Sequence, residues 1–156
     1  MKKVTILLLS LAVCVFVLPS CKKKKGCTDS VSINYDSEAE EDDGSCVYAG
    51  EGGNTTIVAK PEHHGTPIAS VFGHHDSAFV KFNTLTFPGS NPSNYDLVLV
   101  GDSGEDHVHL ENLKVGKYYI YMTGYDTLRH EYVTGGIPYV LTQGTGEVEL
   151  AVPVVE

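Results

Sequence analysis

Several shortages narrow what this chain can be. Positive charge is scarce: 11 Lys and Arg stand against 20 Asp and Glu, a formal net charge of −9. A globally acidic chain repels nucleic acid, which is bound by neutralising its phosphates, so nucleic acid is excluded as a partner. Helical patterning is missing, because no segment sustains a 3.6-residue apolar period. Long hydrophobic runs are limited to one, residues 4–18, interrupted only by Thr5 and Ser10. That run is too short for a comfortable transmembrane helix, and no second one follows. There is no Gly-rich phosphate loop and no GxSxG nucleophile elbow.

What is there begins with the N-terminus. Lys2 and Lys3 precede the apolar run, which closes on Leu18-Pro19-Ser20-Cys21. A basic start, an apolar stretch and small residues before a cleavage point form a secretory signal. An uncleaved anchor helix is the alternative, and Pro19 and Cys21 closing the run speak against it. The segment resembles a bacterial lipobox, with Leu at −3 and Ser at −1. That resemblance implies that residues 1–20 are a signal peptide and that Cys21 is the lipidated first residue of the mature chain. It also implies an outer-membrane location, on the periplasmic or the cell-surface face, with the membrane as a partner through the lipid. The mature chain would keep nine Lys and Arg and all 20 acidic residues, a net charge of −11. The four lysines at 22–25 belong to a stalk, residues 21–26. They either rest on anionic headgroups, at about 1 kcal/mol per residue, or form a solvated spacer.

Cys14 would leave with the signal and Cys21 would carry lipid, which leaves Cys27 and Cys46. In an exported, oxidising compartment that pair is expected to form a disulfide. The loop it closes is worth about 3 kcal/mol in the chain-entropy account. Residues 27–50 make a unit with seven acidic residues and no basic one, too poor in apolar residues for a core without such a staple. Gly26-Cys27-Thr28-Asp29, Asn34-Tyr35, Ala39 and Asp42-Asp43-Gly44-Ser45-Cys46 resemble a short module, GCTDxxAxNYxxxAxxDDGSC, of Gram-negative surface and secreted proteins. It is distantly similar to thrombospondin type 3 repeats. The resemblance implies an extracytoplasmic spacer. Asp29, Asp36, Asp42 and Asp43 are candidate calcium ligands, since hard cations gather oxygens. No EF-hand is possible: with Gly44 at loop position 6, Ala39 and Gly50 occupy the positions that need carboxylates. A solvated acidic face is the other reading.

Gly50-Glu51-Gly52-Gly53-Asn54 reads as a linker. Beyond it, residues 55–60, 78–83, 95–100, 107–110, 117–123, 139–141 and 147–154 read as strands. Alternation is clearest in the last, where Val148, Leu150, Val152 and Val154 share a face. Pro153 cannot donate to a ladder, so that strand belongs at an edge. About seven short strands with regular turn signals predict an all-β fold, a two-sheet antiparallel sandwich over residues 55–156.

The stretch from Asp106 to Ile120 resembles the xxFxFxxLxxGxYxI pattern of prealbumin-like, carboxypeptidase regulatory-like domains. Val108 and Leu110 end one strand facing inward, Leu113 plugs the corner, Gly116 turns the chain with positive φ, and Tyr118 opens the next strand inward. Gly65-Thr66-Pro67-Ile68-Ala69-Ser70-Val71 resembles the GxPIxxAxV segment of the same families. Phe72-Gly73-His74-His75-Asp76 is an insertion relative to them. The resemblance implies a structural or ligand-binding module.

Seven histidines all fall in this region. His107 and His109 are two apart on a strand whose Val108 points inward, so both rings face out, and Glu111 extends the row. Imidazoles suit zinc and copper, but a site needs three or four converging donors. The rest would come from His63, His64, His74 or His75. Scattered exposed histidines are the alternative. Tyr119 and Tyr121 are expected on the face opposite Tyr118, where exposed aromatics could stack on a glycan or anchor a protein partner; ordinary cross-strand pairing explains them too. Gly101-Asp102-Ser103-Gly104 spells the start of the trypsin-family nucleophile motif. Glu105 breaks it, and a turn accounts for these residues. Asp29-Ser30-Val31, Asp76-Ser77-Ala78 and Asp126-Thr127-Leu128 resemble acidic O-glycosylation strings, which are common by chance. The expectation is a non-catalytic, lipid-anchored envelope protein that binds or scaffolds. A histidine-based zinc or copper binder is the alternative, and a carbohydrate-binding accessory protein the third reading.

Overall fold

The computed structural model describes residues 22–156. Residues 1–20, where a signal peptide is expected, and Cys21 lie outside the described residues. Two short strands come first, β1 (Lys25–Gly26) and β2 (Glu41–Asp42). Eight follow: β3 (Glu51–His63), β4 (Thr66–Pro67), β5 (Ser77–Phe82), β6 (Leu97–Val100), β7 (Val108–Leu113), β8 (Gly116–Asp126), β9 (Glu131–Leu141) and β10 (Thr145–Val154). One sheet of the sandwich has the order β6-β5-β8-β9. The other places β3 between β10 and β7, with β4 paired to the end of β3.

The expected all-β fold is present, and its seven main strands sit where the patterning put them or overlap those places. The ladders of the sandwich are antiparallel with one exception. β10 runs parallel to β3, from Thr145↔Asn54 to Val154↔His63. Strand direction leaves no mark on an alternating pattern, so this correction to a wholly antiparallel sandwich was not readable. Pro153 does lie in a strand at the margin of its sheet. Val155 then bridges to Thr134 and joins the two sheets at that corner.

The core forms between the inner faces. Ile57, Ala59, Val108, Leu110, Val152 and Val154 from one sheet meet Ala78, Val80, Ile120, Met122, Val133 and Leu141 from the other. Burying each of the Val, Leu, Ile and Met side chains among them contributes about 1.5–3 kcal/mol, so these residues carry the sandwich. The β7–β8 corner has the expected form. Leu113 and Tyr118 are fully buried, and Gly116 has φ +155°, with the backbone of Ala49 2.4 Å from where a Cβ would stand. The Tyr118 hydroxyl donates to the Lys114 carbonyl, closing the corner.

Residues 50–54 are not a linker. β3 begins at Glu51, and Gly53 lies so close to the Leu113 carbonyl that any side chain would collide with it. Register shifts between Glu51 and Ile57 mark a bulged start to the strand. The acidic unit accordingly docks on the sandwich. Ala49 joins the core and donates its N–H to Asn83 Oδ1, and Lys117 Nζ donates to the Ser30 carbonyl. Cys27 and Cys46 are disulfide-bonded, with Cα atoms 4.8 Å apart. The stalk shortens too: Lys25 and Gly26 form β1 beside Glu41 and Asp42. Lys24 pairs with Asp36 at 2.9 Å and Glu38 at 2.8 Å, and Lys25 with Glu41 at 3.1 Å. Two of the four stalk lysines therefore face the acidic unit.

Candidate metal centre

β7 packs antiparallel against β3 with His109 opposite Val58. Val108 and Leu110 are buried, which turns His107 and His109 to the outer face as expected. Their Nε2 atoms are 3.0 Å apart, with the rings nearly perpendicular at 76°. Glu105 Oε2 lies 3.5 Å from His107 Nε2. Asp106 Oδ1 lies 2.9 Å from His107 Nδ1. A carboxylate can only accept there, so His107 carries a proton on Nδ1, and in the neutral ring that leaves the lone pair on Nε2. The His107 ring in turn holds the Asp106 carboxyl below its usual range.

The loop that carries Glu105 is fixed by the segment 70–76. Ser70 N–H donates to the Glu105 carbonyl at 2.8 Å, Gly104 N–H to the Ser70 carbonyl at 2.8 Å, and Gly101 N–H to the Asp76 carbonyl at 2.8 Å. His75 Nδ1 donates to the Gly101 carbonyl at 3.1 Å. Asp76 itself is fully buried, and neither carboxylate oxygen has a hydrogen-bond partner. Burial pushes its carboxyl up to about 6, with the nearby Ser70 hydroxyl and His75 ring drawing it only part of the way back.

Among the described residues, two groups bring three donor atoms within 4.8 Å of one another: Glu105/His107/His109 and His63/Asp126/Glu131. Neither gathers the six candidate histidines. His63 is buried and bonds Asp126 Oδ2 through Nδ1 at 2.9 Å, with Glu131 Oε1 3.7 Å away. His64 lies against the His63 ring, centroids 4.3 Å apart. His74 stacks on Tyr125 at 4.2 Å and meets the Tyr132 hydroxyl at 3.1 Å. Glu111, the expected extension of the row, is outside both groups. Glu105 takes its place from the other side. The sequence did carry that signal, since Glu105, His107 and His109 alternate as regularly as His107, His109 and Glu111.

The four calcium candidates do not converge. Asp29 accepts from Val31 N–H and the Tyr48 hydroxyl, Asp36 from Lys24 and Glu38 N–H, Asp42 from Gly44 N–H, and Asp43 from Ser45 N–H. They shape turns. Tyr119 and Tyr121 do face away from the core, but Phe79, Phe87 and Tyr95 cover them, leaving 9% and 7% exposed. That face offers no bare rings of theirs. Ser103 lies in a turn, as expected. Among the described residues no helix is long and apolar enough to cross a membrane. Compared with family models, curated proteins and solved structures, the chain matches none.

Proposed function

We propose that this chain is a non-catalytic, extracytoplasmic protein that binds or scaffolds at the cell envelope, tethered to the outer membrane through lipid on Cys21. The observation that carries the reading is the Cys27–Cys46 disulfide. It staples a unit too poor in apolar residues to stand alone, and such bonds persist in oxidising compartments. The N-terminal pattern supplies the route out, and its resemblance to a lipobox supplies the anchor. The prealbumin-like resemblance of residues 106–120 fits a binding module, and the buried corner at Leu113, Gly116 and Tyr118 is consistent with it. Lys22 and Lys23 remain to meet anionic headgroups, since Lys24 and Lys25 pair with the acidic unit.

Mass spectrometry of the protein from membranes tests this. The expected chain lacks residues 1–20, carries acyl mass on Cys21 and, when denatured, offers no thiol to alkylation. An intact Met1 with an unmodified Cys21 would overturn it. A second reading, a zinc or copper binder, is favoured by the approach of His107 and His109.

A further inference from the structure

We propose that Glu105, His107 and His109 bind a single divalent late transition ion, zinc or copper(II). This rests on the reading of the chain as a binding protein and specifies its ligand. Two donors on one tetrahedral zinc, each about 2.0–2.1 Å from the metal, stand about 3.3–3.4 Å apart. The two Nε2 atoms are already 3.0 Å apart and Glu105 Oε2 is 3.5 Å from one of them, so little movement is required. With both rings neutral and His107 protonated on Nδ1, His109 Nε2–H donates to the His107 lone pair. Moving the His109 proton to Nδ1 turns both lone pairs toward one point, with no net proton released.

Asp106 is the positioning residue. Its bond to His107 Nδ1 fixes the tautomer and ring angle, the arrangement that metal-bound histidines commonly have. Two nitrogens and one carboxylate suit zinc and copper, whereas calcium and magnesium call for oxygen shells. Three protein donors leave at least one coordination position to solvent or an outside ligand, and Glu105 and His109 are exposed enough to admit one. The acidic chain draws cations toward it.

The other histidine–carboxylate group cannot do this as it stands. Asp126 accepts from His63, from Arg129 Nη1 and from the N–H groups of Leu128 and Arg129. His63 Nδ1 is committed to that bond.

The test uses the full lipidated chain in detergent, stripped with a chelator and titrated with zinc chloride or copper sulfate alone. One ion per chain is expected at about micromolar affinity or tighter for at least one of the metals. The double variant His107→Ala/His109→Ala should lose about 100-fold or more, and Asp106→Asn about 10-fold or more. His130→Ala should bind as the parent does. Copper EPR should report two imidazole nitrogens in the parent. Should the double variant misfold, Glu105→Gln and Asp106→Asn, both on an exposed loop, carry the test. No binding of either ion below about 100 µM would overturn the proposal, and so would binding that survives these substitutions unchanged. The acylation state of Cys21 is read separately, so failure here leaves the envelope reading standing, and the reverse.

Discussion

At one end of the sandwich His63 meets Asp126 and Glu131. On the outer face of β7 His107 and His109 meet Glu105. The residue types are nearly the same, and the two groups are built for different work. At the first, the end of β3 is clasped to the end of β8, one strand from each sheet. Asp126 sits over the β8–β9 turn and has both oxygens occupied by four donors. Any ion entering there must displace them and leave buried donors unsatisfied, a cost of about 1–3 kcal/mol for each. At the second, the two Nε2 atoms hydrogen-bond only each other, 3.0 Å apart, and Glu105 and His109 are exposed. Composition is common to both. The difference is which lone pairs are already committed.

Breaking the closed group should give the largest effect. Asp126→Asn removes the charge while keeping the shape, and is expected to lower Tm by several degrees at pH 7 without changing metal affinity. The His63 ring, foremost, with the Arg129 and Leu128 groups, holds the Asp126 carboxyl well below its ordinary 3.8. In the acid range the unfolded chain therefore binds more protons than the folded one. The stabilisation is present above that ordinary value and is lost as pH falls below it. Circular-dichroism melts from pH 7 to pH 3 should show the parent losing stability and the variant following a flatter curve. Equal Tm values at pH 7 would remove the clasp from the account.

Asp76 sharpens the contrast, because it is a buried aspartate with no partner. Its carboxyl is pushed up to about 6 from 3.8, so the folded chain is the one that holds the proton more tightly. Its contribution to stability is greatest at low pH and declines as pH rises through about 6. At pH 7 Asp76→Asn should stabilise the protein by about 1–3 kcal/mol, an advantage that shrinks as pH falls from about 6 and is gone by about pH 4. Urea denaturation at the two pH values measures it. A variant less stable than the parent at pH 7 would mean that the charge has a partner worth keeping.

The legible parts of this molecule are those governed by near neighbours in the chain. Val108, Leu110, Leu113, Gly116 and Tyr118 each act within a few residues of one another, and the corner they make could be read. Strand β9 starts well before the expected residues 139–141, running through Gly135, Gly136 and Pro138, residue types that disfavour a strand interior. In the fold Gly135 instead admits the Pro153 carbonyl, which would lie 2.2 Å from a Cβ, and the ladder runs on from Glu131. The Gly-rich start of β3 was hidden for the same reason. The outward face of Tyr119 and Tyr121 followed from alternation, but their cover did not, since Phe87 and Tyr95 arrive on a loop. His63 and Asp126 are 63 residues apart, and no spacing rule joins them. His107 and His109 were visible because a strand fixes residues two apart on one face.

The smallest predicted effect separates the two glutamates that flank this pair. Alternation gives Glu105 and Glu111 equal standing, two residues before His107 and two after His109. The structure breaks the tie through the backbone. Ser70 N–H holds the Glu105 carbonyl at 2.8 Å, and the loop swings the Glu105 carboxylate to 3.5 Å from His107 Nε2. Glu111 follows His109 on the exposed face of β7, and its carboxylate stays outside the group that Glu105 forms with the two histidines. Glu105→Gln should therefore weaken zinc or copper binding about tenfold, about 1.4 kcal/mol, while Glu111→Gln leaves it within error. Paired titrations at one pH decide between them. Equal losses would mean that the carboxylates act only through their charge, and a loss confined to Glu111→Gln would place the third donor on the strand instead of the loop.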